Sequence, residues 1–242
     1  MGFNFWIRKY MISVIIPVYN TIPEWLELSV TSILHQTFED FEILLIDDAS
    51  TNEDTIELLN KLDKKDKVEV IRLETNKGIS GALNIGISNA KYDIIARMDS
   101  DDYALPNRFQ KQFNYLMENP SVDLVGSNLS YMFMHEGNWA LSSESTTHPE
   151  VITKELAKSS LWFLNHPTVM FRKQSVIDVG GYNEALRGLA EDYELWIRML
   201  RNEKELRNIS DVDLYLRINP NSLVQNINND NHEFQLKLQE TL

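Results

Sequence analysis

The chain has 242 residues, 43% of them hydrophobic and 10% aromatic, which is enough apolar material for one large α/β domain. Asp and Glu number 36 against 23 Lys and Arg, so the formal net charge is −13. This acidic balance argues against non-specific nucleic-acid binding, which neutralises phosphates with basic side chains, and against tight docking on anionic lipid. The chain contains no cysteine, which excludes disulfide scaffolds, thiolate metal sites and thiol nucleophiles.

The first half of the chain alternates strand and helix patterns. Apolar runs rich in β-branched residues predict four strands, at residues 12–18, 41–46, 68–73 and 92–98. Each is followed by a helical stripe of apolar residues. Strands that are apolar on both faces are typical of parallel sheets covered on both sides. The pattern therefore predicts a mostly parallel central sheet with helices on both faces, in a single domain.

Several local signals predict where helices begin. Thr21 to Glu24 has the spacing of a capping box, with Pro23 at the first helical position. Ser50 or Thr51 is expected to cap the second helix, and a later helix is expected to start at Glu191. The second half is less regular, with strands predicted at 122–129 and 168–171 and a polar loop at 142–147.

Polar residues follow each of the first four predicted strands. In parallel sheets, ligands bind outside the carboxyl ends of the strands. The residues at those ends are Tyr19 and Asn20, Asp47 and Asp48, Asn76 and Lys77, and the run 99–102. They are therefore expected to share one edge of the sheet and to line the binding site.

The run Asp-Ser-Asp-Asp at 99–102 is the strongest of these signals. Three carboxylates in four residues repel one another and need compensation. Mg²⁺ or Mn²⁺ provides it through hard oxygen ligands and shares its coordination shell with a diphosphate. An acidic surface turn is the alternative. Neither a GxxxxGK[ST] loop nor a GxGxxG after the first strand is present, which disfavours P-loop enzymes and dinucleotide oxidoreductases.

Six segments, in order, resemble the family 2 glycosyltransferases with the GT-A fold, a Rossmann-like architecture. They are SVIIPVYN (13–20), ILLIDDAS (43–50), NKGISGALNIGI (76–87), ARMDSDDYALPNRF (96–109), NHPTVMFRK (165–173) and GGYNEALRGLAEDYELWIRM (180–199). The resemblance spans residues 11–220. It implies a nucleotide-sugar-binding half at 11–102 and an acceptor-side half at 103–220, between an N-terminal extension (1–10) and a tail (221–242) that ends within a helix and is abbreviated relative to longer relatives.

The resemblance implies a set of nucleotide-binding residues. Pro17 and Tyr19 would pack against uracil, and Asp48 would accept a hydrogen bond from N3–H of the base. Lys77 would lie near the nucleotide, and Asp99 near the ribose or the water shell of the metal. A core tyrosine, an aspartate capping the second helix and a solvated lysine remain the alternatives for Tyr19, Asp48 and Lys77.

In the same resemblance Asp99-Ser100-Asp101 matches the DXD motif, and Asp101 is the implied ligand of Mn²⁺ or Mg²⁺. Arg97 is expected to pair with an aspartate. His166 would line the donor-sugar pocket, with a packed core histidine as the alternative.

Glu191 and Asp192 match the ED motif, in which the aspartate is the general base. An acceptor hydroxyl is a poor nucleophile and needs a carboxylate within hydrogen-bond reach. Both acids could instead stabilise a helix N-terminus. The sequence departs from the family where Asn219 stands in place of a frequent histidine, which leaves Arg217 as a substitute.

The resemblance thus implies a metal-dependent inverting glycosyltransferase of the capsule, exopolysaccharide or O-antigen subgroup. It would transfer a sugar from a UDP-sugar to a saccharide or lipid-linked saccharide. A cytoplasmic location is expected, with peripheral contact at the inner face of a membrane. The alternatives are a non-catalytic nucleotide-sugar or glycan-binding module and a sugar-1-phosphate nucleotidyltransferase.

Overall fold

The computed structural model describes residues 11–135, 138–186, 190–218 and 229–242. The expected N-terminal extension at 1–10, and Asn219, lie outside the described residues. The strands are β1 (Ile12–Val18), β2 (Phe41–Asp47), β3 (Val68–Arg72), β4 (Ile94–Arg97), β5 (Tyr103–Ala104), β6 (Val122–His135), β7 (Asn138–Ser145), β8 (Val151–Ile152), β9 (Met170–Arg172) and β10 (Glu205–Arg217).

The helices connect these strands in the alternation expected of an α/β fold. They are α1 (Pro23–Leu34), α2 (Glu53–Leu62), α3 (Gly78–Asn89), α4 (Arg108–Glu118), α5 (Lys154–Ser159), α6 (Lys173–Asp178), α7 (Glu191–Arg201) and α8 (Asn229–Gln239). A short 3₁₀ helix spans His166–Thr168, directly before β9. None of the described helices is long and apolar enough to cross a bilayer.

The strands belong to one sheet with the order β3-β2-β1-β4-β9-β6-β10-β5, to which β7 adds beside β6 and β8 beside β10. β1 to β4 are parallel to one another, and β10 is parallel to β6. β9 runs antiparallel to both of its neighbours, β4 and β6. The predicted parallel arrangement is confirmed for β1 to β4. The sheet as a whole is mixed, because β5, β7, β8 and β9 pair antiparallel with their neighbours.

The sheet separates two apolar layers because successive side chains of a strand point to opposite faces. Val14 and Ile16 of β1 pack in the layer that contains α1, α2 and α4. Ile15 points the other way, into the layer that contains α3, α5, α6 and α7. All residues of β2, and all of β1 except Pro17, are buried, which explains why most positions of these strands are apolar.

Helix α3 approaches β1 closely at Gly86. A Cβ atom placed on Gly86 would lie 2.4 Å from Cγ2 of Ile15, a distance at which one of the two groups must shift. The absence of a side chain therefore brings α3, and with it the loop before its first turn, close to the central strand.

Two of the predicted helix caps are wrong. No side chain caps α1, which begins at Pro23 after Ile22, because the hydroxyl of Thr21 is bonded to Ser100 instead. The cap of α2 is Asn52, whose side chain accepts a hydrogen bond from the amide of Thr55.

The segment predicted as a polar loop at 142–147 is also different in the structure. Its first part belongs to β7, which pairs with β6 as an antiparallel hairpin. The strand is mostly exposed, so its polar composition reflects solvent contact rather than irregular backbone. The C-terminal helix expected from the sequence is present as α8, and Leu238 and Leu242 pack on the core beside α7.

Candidate active site

The carboxyl ends of β1, β2 and β4 lie side by side. Val18 is opposite Asp47 in the register of β1 and β2, and the amide of Asp48 donates to the carbonyl of Val18 at 2.8 Å. On the other side of β1, Ile15 is opposite Arg97 of β4. The expected meeting of the polar strand ends at one edge is therefore confirmed for these loops.

Asn20 joins the first two loops at this edge. It adopts a left-handed backbone conformation with φ of 50°. Its side-chain oxygen accepts hydrogen bonds from the amides of Thr51 and Asn52, at 2.8 and 2.9 Å. Tyr19, next to it, is 53% exposed, which rules out the core-tyrosine alternative. Pro17, in contrast, is half-buried within β1.

Asp48 follows β2 directly and is buried against the residues that precede α3. Its carboxylate accepts a hydrogen bond of 2.7 Å from the amide of Lys77, and its carbonyl accepts one of 3.1 Å from Nδ2 of Asn76. The alternative in which Asp48 caps α2 is wrong, since Asn52 occupies that position. Burial raises the pKa of Asp48 above its usual range, against the lowering effect of the bonds from the α3 backbone. The side chain of Lys77 is exposed at the same edge.

The acidic loop after β4 is held by a residue of α1 and by a residue just before that helix. The hydroxyl of Ser29 donates to the carbonyl of Asp99 at 3.1 Å, and the hydroxyls of Thr21 and Ser100 are 2.6 Å apart. These contacts join residues 70 and 79 positions apart in the sequence. The loop is thus anchored through its backbone and through the hydroxyl of Ser100.

Arg97 is the cation at the base of this loop. It is 2% exposed, and its Nη2 lies 2.6 Å from Oδ1 of Asp99. The expected pairing with an aspartate is confirmed. Its Nε and Nη1 have no hydrogen-bond partner among the described residues.

The other two carboxyl groups of the loop are desolvated. Burial, together with the charge of Asp99, raises the pKa of Asp101 to about 6. Burial also raises the pKa of Asp102 well above its usual range. Oδ1 of Asp102 accepts a hydrogen bond of 2.9 Å from the amide of Arg217, whereas its buried Oδ2 has no partner in the described part of the chain.

These observations fit a divalent cation that is shared with a substrate. Across residues 11–135, 138–186, 190–218 and 229–242, no three acidic or histidine side chains converge into a complete metal site. Mg²⁺ commonly binds through one or two carboxylates and takes its other ligands from water and substrate phosphates. The Asp101 carboxylate is desolvated and repelled by Asp99, so a bound cation would stabilise it. The residues present therefore fit a divalent cation at Asp101, and this assignment stays a prediction.

Glu191 and Asp192 begin α7 directly after Ala190, which has a left-handed φ of 50°. Oδ1 of Asp192 accepts a hydrogen bond of 2.7 Å from the amide of Tyr193, and burial raises the pKa of Asp192. Glu191 is buried, and burial together with Asp192 raises its pKa to about 7. Both acids lie at the helix N-terminus, as expected, but they are desolvated rather than solvated caps.

His166 is a packed histidine with polar neighbours, and its place in a donor-sugar pocket stays a prediction. It is 8% exposed and packs edge-on against Trp196, as a core histidine does. Nevertheless its Nε2 lies 2.9 Å from the hydroxyl of Tyr182, and its Nδ1 lies 4.0 Å from Oε1 of Glu191. Burial, and to a lesser degree Arg97, holds the pKa of His166 well below its usual range, so the imidazole is neutral.

Tyr182 is a site residue that sequence reasoning missed. Asn84 of α3 positions it through two hydrogen bonds to its backbone, of 2.8 and 2.9 Å. Gly181 makes the approach possible, because its φ is +71° and an added Cβ would lie 2.7 Å from Oδ1 of Asn84. The Gly180-Gly181 pair is the signal in the sequence that could have indicated this close approach.

Arg97 connects the two acidic groups electrostatically. Its charge interacts with the carboxylates of Asp99 and Glu191, and it lowers the pKa of Asp192 as well. The described residues thus bring together the acidic loop after β4 and the start of α7, which are about ninety residues apart in the sequence. A sheet edge that carries desolvated carboxylates from two separate elements is the candidate active site of an α/β enzyme.

Comparisons with known proteins identify the class more closely. The family model "Glycosyl transferase family 2" matches residues 13–180. The O-antigen biosynthesis glycosyltransferase WbnJ of Escherichia coli is 34% identical over 218 residues, which cover 88% of this chain and 81% of WbnJ. The amylovoran biosynthesis glycosyltransferase AmsE of Erwinia amylovora is 33% identical over 208 residues, which cover 86% and 76%. The chain belongs to glycosyl transferase family 2.

Solved structures agree on the fold. Crystal structures of S. aureus TarS 1–349 match with a TM-score of 0.72 in complex with UDP-GlcNAc and 0.70 in complex with UDP, both at 23% identity. Each match covers 96% of this chain but only 66% and 64% of the TarS chains. The chain therefore has the GT-A fold and spans slightly less than two thirds of those structures.

Proposed function

We propose that this protein transfers a sugar from a UDP-sugar to a hydroxyl of a saccharide or lipid-linked saccharide during surface polysaccharide assembly. The transfer depends on a divalent cation and inverts the anomeric centre. WbnJ and AmsE are named for O-antigen and amylovoran biosynthesis. A further relative, 27% identical over 85% of this chain, is the E. coli UDP-Gal:alpha-D-GlcNAc-diphosphoundecaprenol beta-1,3-galactosyltransferase. These names support the donor and acceptor classes.

One observation carries the proposal: the acidic loop 99–102 is paired with the buried Arg97 through Asp99, and the charge of Arg97 also acts on Glu191 at the start of α7. Glycosyl transfer needs negative groups at two places, one beside the leaving diphosphate and one beside the attacking hydroxyl. The fold supplies one group of carboxylates for each place. The charge of Arg97 lowers the pKa of Asp101, Glu191 and Asp192 and so opposes part of the rise that burial causes.

The nucleotide is assigned to the loops after β1 and β2. The exposed ring of Tyr19 offers a face for uracil, and the ring of Pro17 lies at the end of the same strand. The Asp48 carboxylate keeps lone pairs beyond the one used by Lys77 and accepts from N3–H of the base. The exposed ammonium of Lys77 lies at the same edge and attracts the anionic donor.

The divalent cation is assigned to Asp101, with Asp99 near the ribose or the water shell of the metal. When bound, the cation neutralises charge on the departing UDP. Asp99 keeps its orientation through its ion pair with Arg97. His166 is neutral and accepts or donates one hydrogen bond with Tyr182, so it adds no charge to the donor-sugar pocket that it lines.

Asp192 is assigned as the general base. Its Oδ1 is oriented by the amide of Tyr193, and its carboxylate takes the proton from the acceptor hydroxyl while that oxygen attacks the anomeric carbon. The bond from that carbon to the diphosphate oxygen breaks, and its electron pair leaves with UDP. A single in-line displacement of this kind inverts the anomeric centre. Glu191 lies beside the base, with its Oε1 4.0 Å from Nδ1 of His166.

A non-catalytic nucleotide-sugar-binding module is the second candidate, since it would keep the same fold and donor site. A sugar-1-phosphate nucleotidyltransferase is disfavoured by the lack of a glycine-rich basic loop after β1. Nucleotide sugars are made in the cytoplasm, where we expect the protein to act, with peripheral membrane contact when the acceptor is lipid-linked.

Thermal unfolding with UDP, GDP, ADP and dTDP, each with Mn²⁺, Mg²⁺ or EDTA, tests the donor site. A ligand that binds only the folded state raises the melting temperature by mass action. We expect a shift that is specific for UDP and abolished by EDTA. Equal shifts with all nucleotides, or none, would contradict the proposal. UDP binding without transfer or hydrolysis, across a broad acceptor screen, would favour the binding module.

A further inference from the structure

A cavity of about 260 Å³ opens at the edge of the sheet beside the middle of β10. β8 pairs with residues 206 and 207 of β10 and β5 with residues 214 and 215, and the cavity lies between these two short strands. Six of the side chains that line it are polar: Tyr115, His148, Glu150, Asn208, Ser210 and Asp211. The cavity shares no residue with the proposed donor and metal sites, and its lining suits a polar ligand.

Two exposed carboxylates make this lining rich in hydrogen-bond acceptors. The hydroxyl of Tyr115 donates to Oε1 of Glu150 at 3.3 Å, and Nζ of Lys111 lies 2.6 Å from Oδ1 of Asp211. A carboxylate has about four lone-pair sites, and each of these contacts uses one. The remaining sites repel an anionic ligand, whereas the hydroxyl groups of a neutral ligand donate to them.

His148 adds a neutral acceptor to the same lining. Its Nε2 lies 3.2 Å from Oδ1 of Asn165, whose Nδ2 donates to the carbonyl of Ser127 and to Oγ1 of Thr146. Oδ1 is thus the accepting end of the amide, and Nε2 of His148 is the donor. Burial lowers the pKa of His148, so its Nδ1 carries a lone pair. Asn165 directly precedes His166, which connects the cavity to the candidate active site.

An exposed indole stands beside His148. Trp162 is 55% exposed, and its ring packs edge-on against the imidazole with the centroids 5.5 Å apart. The hydroxyl of Ser160 donates to the carbonyl of Trp162 at 2.9 Å and accepts from its amide at 3.2 Å, which fixes its backbone. The negative face of an aromatic ring attracts weakly positive C–H groups. An indole next to acceptors is therefore complementary to a sugar ring, which has C–H groups on its faces and hydroxyls at its edge.

We propose that this cavity and Trp162 form a second, non-catalytic saccharide subsite, which binds neutral sugar units of the acceptor at a distance from the reacting hydroxyl. The inference rests on the proposed function, since the saccharide is taken to be the acceptor. One sugar unit stacks on Trp162, and the next donates hydroxyls to Glu150, Asp211 and His148. Ligand pockets commonly start at about 300 Å³, so this smaller cavity holds a single unit while the rest of the chain stays on the surface.

A metal cation is the competing occupant, because carboxylates also bind Ca²⁺. Among the described residues, however, no three acidic or histidine side chains converge on a cation. The two accounts differ in the role of the indole. A saccharide loses its stacking surface when Trp162 is removed, whereas Ca²⁺ bound by Glu150 and Asp211 is unaffected.

The test is a titration followed by calorimetry and by the indole N–H signals in NMR spectra. Its probes are two neutral tetrasaccharides, maltotetraose and lacto-N-tetraose, the anionic tetragalacturonate, and Ca²⁺. We expect the neutral saccharides to shift the Trp162 signal and to bind at least fivefold more tightly than tetragalacturonate. Trp162→Ala should weaken neutral saccharides at least tenfold. Glu150→Ala, which changes a second exposed side chain of the subsite, should weaken them at least threefold and reduce the preference over tetragalacturonate.

Ile177→Ala is the matched control, because Ile177 is a 43% exposed apolar residue of α6 that does not line the cavity. Its saccharide affinity should match the wild type. The inference is overturned if neither neutral saccharide shifts the Trp162 signal, if tetragalacturonate binds as tightly as they do, or if only Ca²⁺ binds. Failure of the wild type to bind UDP, with saccharide binding intact, would overturn the proposed function and leave the saccharide subsite standing.

Discussion

Arg97 and Asp99, two residues apart at the end of β4, form an ion pair of 2.6 Å in which the arginine is 2% exposed and the Asp99 side chain 31% exposed. A guanidinium is seldom buried without several compensating charges. Here Asp99 and Glu191 both contribute to that compensation. The charge of Arg97 therefore stabilises carboxylates both in the acidic loop and at the start of α7.

Asp99→Asn and Asp101→Asn should differ in stability although the two residues belong to one motif. Asp99→Asn leaves a buried arginine without its ion-pair partner, and we expect a loss of about 2–3 kcal/mol in the free energy of unfolding. Asp101→Asn removes a carboxylate whose ionised form is disfavoured by burial, so stability should be unchanged or higher. Urea unfolding at pH 8 in EDTA measures both. Equal destabilisation would contradict this account of the loop.

Asp192→Asn should separate chemistry from binding. The amide cannot take the proton of the acceptor hydroxyl, so we expect kcat to fall by roughly 10²- to 10⁴-fold, with the dissociation constant of UDP unchanged. The matched control is Glu194→Gln on the same helix, whose carboxylate pairs with Arg198 outside the proposed machinery. Steady-state kinetics and calorimetry decide. If the folded Asp192→Asn variant kept the kcat of the wild type, Asp192 would not be the general base.

Glu191→Gln should change how stability depends on pH. The pKa of Glu191 is raised from its ordinary value of 4.5 to about 7, first by burial and then by Asp192. The folded state therefore binds this proton more tightly than the unfolded state, and the wild type loses stability as pH rises from about 4.5 through 7. Glutamine does not ionise and escapes this loss.

The melting temperature of Glu191→Gln relative to the wild type should therefore increase between pH 5 and pH 8 and level off above the folded-state pKa. Glu203→Gln is the control, because Glu203 is exposed and paired with Lys154 on the surface. Its difference from the wild type should be small and nearly constant over the same range. A constant difference for Glu191→Gln as well would show that its carboxyl group is solvated.

Gly86→Ala should destabilise the fold through a single methyl group. The new Cβ would lie 2.4 Å from Ile15 on the central strand, and overpacking of this kind costs about 1–3 kcal/mol. Ser88→Ala, at an exposed position of the same helix, should stay within about 0.5 kcal/mol of the wild type. Urea unfolding of both variants gives the comparison, and a neutral Gly86→Ala would show that α3 can move off the sheet.

The sequence determined the parallel half of the fold because its signals are local. A strand buried on both faces must be apolar at nearly every position, and β1 and β2 are. The predicted strand ends agree with the structure to within two residues for β3 and β4. The meeting of Asp48 with the loop after β1 followed from topology alone, since parallel strands place their carboxyl ends at one edge.

Cap positions were less predictable, because side chains at a loop choose among partners from other elements. Thr21 has the right spacing for a capping box, yet its hydroxyl bonds to Ser100, 79 residues away. Asn52 caps α2, whereas Ser50 accepts a hydrogen bond from the amide of Asn20. Local propensity is a weak guide wherever a tertiary hydrogen bond competes with it.

The acidic loop at 99–102 and the helix start at Glu191 and Asp192 were predicted from the sequence alone, because their residue types and spacing are local features of the chain. Only the tertiary structure decided what surrounds them. It placed Tyr182 on His166, Arg97 between the two acidic groups, and Arg217 between Trp25 and Trp139. Burial and charge at those contacts set the ionisation of the site, and both depend on residues that packing, not sequence proximity, brings together.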